Sequence, residues 1–92
     1  MSVDTVNYAL SDVTRRIRNN PNNFSEEGQR KLLGICECMR SYLMCEDAVG
    51  FNNYIDSVLA REPDAADYVL EDLFEELNIT VREELTAKLE EA

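Results

Sequence analysis

Residues 25–46, SEEGQRKLLGICECMRSYLMCE, decide the fold. Leu32, Ile35, Cys36, Met39, Tyr42 and Leu43 return at spacings of three and four. That is the rhythm of one helix face at ~3.6 residues per turn, and no alternating strand pattern competes with it. Ser25 stands where an N-cap belongs, and Glu26 and Glu27 fill the first turn, where the helix dipole favours negative charge. Leu33 and Met44 point sideways, and Gly34, Cys38 and Cys45 occupy much of the remainder, leaving Arg30, Glu37 and Arg40 as a narrow strip toward water. A helix apolar on most sides belongs inside, so residues 26–46 are expected to form the central helix of an all-α bundle.

The flanking segments read as helices by the same logic. Toward the N-terminus, Asn19-Asn20-Pro21-Asn22-Asn23 suits a turn and cannot sustain a helix. Before it, Val6, Leu10, Val13 and Ile17 mark a first helix, with Asp4 as the expected N-cap and Arg15, Arg16 and Arg18 in the last turn. Toward the C-terminus, Asp47 is placed to cap a third helix carrying Phe51, Tyr54, Ile55, Val58 and Leu59 and ending near Arg61. Glu62-Pro63-Asp64 opens a fourth with proline at a first helical position, where its missing amide proton costs nothing. Its buried face is Ala66, Val69, Leu70, Leu73 and Leu77, and Asn78 ends it. A kink instead of a break between the third and fourth helices is the alternative. Thr80-Val81-Arg82-Glu83 has capping-box spacing for a last helix bearing Val81, Leu85 and Leu89. The expectation is a compact bundle of about five short helices. With no linker, low-complexity run or repeat, residues 1–92 read as one helical domain.

Ninety-two residues with 45% apolar content suit a modest core that buries roughly 60–65% of the unfolded chain's surface, with little room for a deep substrate cavity. Ser2, Val3 and Asp4 do not begin a targeting signal, and no stretch approaches a membrane span. The expected setting is cytoplasmic, with no membrane partner. Cys36, Cys38 and Cys45 are an odd number crowded together and read as reduced thiols. Cys36 and Cys38 lie about 200° apart around a helix and cannot jointly hold an ion. The chain contains no histidine, so no imidazole is present to complete a metal site or to activate a serine or cysteine. No metal, cofactor or catalytic residue is expected, and the protein reads as a non-enzyme.

The charge is confined to one half. Residues 1–46 carry six acidic and six basic side chains, whereas residues 47–92 carry thirteen acidic against three basic. In the fourth helix Asp64, Asp67, Glu71 and Glu75 follow spacings of three and four, with Asp72 and Glu76 in a neighbouring row and Tyr68 among them. Like charges at these spacings each cost a few tenths of a kcal/mol, with no basic residue inside the helix to offset them. A solvated surface is the plain reading. The functional one makes Asp64, Asp67, Tyr68, Glu71, Asp72, Glu75 and Glu76 a partner-binding face, with tyrosine as the apolar anchor among carboxylates.

The expected function is therefore a non-enzymatic protein-binding module that regulates or inhibits a partner by docking an acidic helical face on its basic surface. In size and charge the chain resembles small acidic helical proteins, such as phage-encoded inhibitors and DNA mimics, which act by occupying a host protein's surface. That resemblance implies an alternative, mimicry of DNA that blocks a nucleic-acid-binding protein. Direct binding of nucleic acid is disfavoured by the net charge of −10. A third reading is a homo-oligomer formed through Tyr8, Phe24 or Phe74, or through the arginine corner meeting another copy's acidic helix.

Overall fold

The computed structural model describes residues 2–90; Met1, Glu91 and Ala92, at the ends of the expected domain, lie outside the described residues. It is an all-α bundle of five helices, α1 (Ser2–Asn19), α2 (Glu26–Met44), α3 (Ala48–Arg61), α4 (Pro63–Leu77) and α5 (Arg82–Glu90). A short 3-10 turn, Pro21–Asn23, follows α1.

Each break has a local cause. The Asn20 side-chain amide donates to the Arg16 carbonyl at 2.8 Å and closes the end of α1. Ser25 caps α2 by accepting the Gly28 N–H at 3.0 Å, and Asp47 caps α3 by accepting the Gly50 N–H at 2.8 Å. Gly50 has to be small, because a Cβ there would sit 2.9 Å from the Tyr42 ring and would also strike the Asp47 carboxylate. Glu62, the residue before the proline, leaves the helical region, at φ −140° and ψ 69°. α3 and α4 are therefore two helices and not one kinked element. Asp4 falls within the first turn of α1, which already begins at Ser2, so it is not the N-cap the sequence predicts.

Two of the turns are Schellman motifs. After α2, Glu46 N–H bonds Leu43 O and Asp47 N–H bonds Tyr42 O, both at 3.0 Å, with Glu46 at φ 54°. After α4, Asn78 N–H bonds Glu75 O at 3.1 Å and Ile79 N–H bonds Phe74 O at 2.9 Å, with Asn78 at φ 57°. Asparagine tolerates this left-handed conformation, but a glutamate pays roughly 1 kcal/mol for it. Glu46→Gly is thus expected to raise stability by about 0.5–1 kcal/mol, or several degrees in melting temperature. An unchanged or lowered urea midpoint would mean that the Glu46 side chain contributes something the turn geometry does not show.

One core cluster draws on all five helices: Val6, Leu10, Val13 and Ile17 of α1 meet Met39 and Leu43 of α2, Phe51 and Ile55 of α3, Leu73 of α4 and Leu85 of α5. α2 packs on α1, α3 and α4, most extensively on α1. α4 also touches three helices, α1, α2 and α3, while α5 closes over α1 and α3. The wet strip of α2 is wider than its sequence predicts. Lys31, Gly34, Cys38, Ser41, Met44 and Cys45 all face solvent, and Arg40 is half-buried. Small and sulfur-containing side chains raise a helix's apparent apolarity without obliging it to be enclosed.

The entry to α5 also differs from expectation. Val81 lies in the bend before the helix and is exposed, and it is Glu84, not Glu83, whose carboxylate accepts the Thr80 N–H, at 3.3 Å. Leu85 and Leu89 are buried as expected. Of the three aromatics considered for self-association, Phe24 and Phe74 are packed against the core, and only Tyr8 stands free, at 76% exposure.

Candidate functional site

α4 lays Ala66, Val69, Leu70, Leu73 and Leu77 against the core, and its register then dictates what the opposite side presents. Asp64, Asp67, Glu71 and Glu75 are all exposed and run along the outer face at spacings of three and four. Carboxylates so placed stand ~5–6 Å apart at their Cβ atoms. Tyr68, Asp72 and Glu76 lie on the flank toward α1 and the α1–α2 turn. Glu76 pairs there with Arg16 of α1 at 2.6 Å. Both side chains are more than a third exposed or close to it, so this bond contributes at most ~1 kcal/mol.

Tyr68 is placed at the margin of the acidic row and not in its middle. Its ring meets Phe24 edge-on, with centroids 5.2 Å apart and planes at 90°, which leaves the residue 39% exposed. Desolvation pushes its phenol pKa above the usual tyrosine range, the Asp72 charge adds to that, and Arg16 opposes it. The ring is held by packing, so its exposed part is presented without much loss of side-chain freedom.

Asp64, Asp67, Glu71, Asp72 and Glu75 make no ion pair among the described residues. The three basic residues of the C-terminal half are used elsewhere or left free. Arg82 reaches α3, where it pairs with Asp56 and donates to the Asn52 carbonyl at 2.8 Å. Arg61 and Lys88 form no ion pair among the described residues. Apart from Arg16 at Glu76, no ion pair among the described residues offsets the repulsion along α4, and dissolved ions screen the rest. Raising ionic strength from ~0.01 to ~0.15 M shortens the Debye length from ~30 to ~8 Å. The melting temperature should rise by a few degrees over that range, and a flat profile would show the row to be compensated by other charges.

Helical spacing also separates the arginines that the sequence places together. Arg16 turns toward α4, Arg15 bonds Asp12 on its own helix, and Arg18 has no ion pair among the described residues. A fourth arginine, which sequence reasoning assigned to the wet strip of α2, joins Arg15 and Arg18. Arg40 lies half-buried against α1, with its Nη2 donating to Ser11 Oγ at 2.9 Å. The readable signal was its place four residues after Cys36, on the edge of the buried face.

The outer row of the acidic face consists of exposed carboxylates, so what it offers chemically is an array of hydrogen-bond acceptors and negative charge. The cysteines are free, with Cys36 buried and its thiol pKa raised by desolvation. Among the described residues no three His, Cys, Asp or Glu side chains gather to hold a metal ion, and no helix is long and apolar enough to cross a membrane. Comparison with known protein families, with curated proteins and with solved structures finds no match to this chain.

Proposed function

We propose that this protein is a non-enzymatic binding module that regulates or inhibits a partner by seating the outer face of α4 on a basic protein surface. The observation that supports the reading is the outer row Asp64, Asp67, Glu71 and Glu75, with Asp72 on its flank, all five without ion pairs among the described residues. Solubility needs charge, but it does not need charge aligned and unpartnered at a cost of a few tenths of a kcal/mol per neighbouring pair. Lysines and arginines of a partner would turn that repulsion into attraction. The exposed part of Tyr68, backed by Phe24, supplies apolar area at the rim of the contact, with Glu76 beside it.

Such a surface favours fast association at low ionic strength, because electrostatic complementarity acts mainly on the on-rate. The test is capture of a partner on the immobilised protein at low salt, followed by hydrogen exchange on the complex. Protection of amides in α4, with release as salt is raised, is the expected result. Protection confined to α2 or α3 would place the contact elsewhere. Mimicry of DNA is the narrower form of the same reading, and it requires that duplex DNA compete with this protein for the partner.

A further inference from the structure

We infer that the cleft between α1 and α2, on the far flank of α1 from the Arg16–Glu76 pair, is an oxyanion site that takes a phosphate group. This does not depend on the role proposed for α4. The cleft has a volume of about 460 Å³ and is lined by Ser11, Thr14, Arg15, Arg18, Asn19 and Arg40. A narrower recess of about 110 Å³ continues it past Leu33 and Glu37. Three guanidiniums from two helices thus share one concavity in a chain whose net charge is −10.

The state of Arg40 carries the inference. The residue is half-buried and forms no ion pair among the described residues, and its Nη2 donates to an uncharged hydroxyl, Ser11 Oγ. A guanidinium presents five donors in a flat fork, and a half-buried one whose charge no carboxylate meets favours an anion beside it. Ser11 and Thr14, whose hydroxyls donate to Asn7 O and Leu10 O at 3.0 and 2.8 Å, carry no charge to set against it. Two carboxylates lie near these arginines. Asp12 is engaged by Arg15, and Glu37 lines the recess with Arg18 and Arg40 but forms no ion pair with either.

A ligand oxygen accepting from the Nη groups of Arg40 would meet its charge, and Arg18 and Arg15 would meet further oxygens of the same group. Three guanidiniums lining one concavity from two helices suit the three terminal oxygens of a phosphate better than the two of a carboxylate. The chain's overall negative field opposes any anion, so inorganic phosphate alone should bind with a Kd on the order of millimolar.

The experiment follows the arginine Nε–Hε resonances of the ¹⁵N-labelled protein during titration with sodium phosphate, with sodium chloride at matched ionic strength and sodium acetate as comparisons. The expected result is a saturable shift of the Arg40 resonance with phosphate only, weakened about tenfold by Arg18→Gln. Arg18 is exposed and forms no ion pair among the described residues, so that variant keeps the fold even if Arg40→Gln does not. A non-saturating drift equal to that in chloride, or phosphate binding indifferent to Arg18→Gln, would overturn the site. Acetate binding as tightly as phosphate would overturn the assignment to phosphate.

Discussion

Phe51→Ala is expected to lower the stability of the bundle by about 3–5 kcal/mol, the usual cost of truncating a fully buried aromatic ring. Phe51 is completely inaccessible to solvent and lies one turn into α3, with its N–H bonded to the Asp47 carbonyl at 2.9 Å. It joins a core cluster to which every helix contributes. Domains of this kind are stable by only ~0.05–0.15 kcal/mol per residue, so the loss is a large share of the total. Urea unfolding followed by circular dichroism measures it directly. A loss below ~1 kcal/mol would mean that the interior closes around the missing ring and that α3 is not held as described.

The second large effect concerns binding. Replacing Glu71 and Glu75 together by lysine sets two cations in an otherwise acidic row, so that a basic partner meets repulsion where it met attraction. Close charge pairs across interfaces are worth upward of ~1.5 kcal/mol, and two reversals should together cost about 3 kcal/mol, or roughly 100-fold in affinity. Both side chains are exposed and neither forms an ion pair among the described residues. The fold should therefore be unharmed and slightly stabilised, because the change relieves crowding along α4. Loss of binding without loss of stability separates a docking face from a structural one.

The helices and their inward faces were legible in the sequence because apolar spacing, caps and prolines agreed at each place. Leu10, Met39, Phe51 and Leu73 could be assigned to the core from periodicity alone, and all are fully buried. The enclosure of α2 was over-read, since Gly34, Cys38 and Cys45 count as non-polar in a sequence yet sit comfortably in water. Val81 was misassigned because a turn, whose register no periodicity sets, delays α5 to Arg82.

At the candidate site the exposed carboxylates of α4 followed from their spacing, but their surroundings did not. Arg16 and Glu76 are sixty positions apart in the chain and meet only through the packing of α1 on α4. The Phe24 ring against Tyr68 and the approach of Arg40 to Ser11 are likewise products of tertiary contact. A one-dimensional pattern records which face of a helix is dry and leaves open which neighbour covers its margins.

The central claim is that the outer face of α4 is where this protein meets a partner. The most direct measurement is association of the captured partner with the native protein and with the Glu71→Lys, Glu75→Lys variant, at ~0.02 and ~0.15 M salt. The account predicts that the native protein associates faster at low salt, and that the variant loses both that acceleration and roughly 100-fold in affinity while melting no lower. Equal affinities and an unchanged salt dependence would contradict it and would leave the α4 carboxylates as surface charge only.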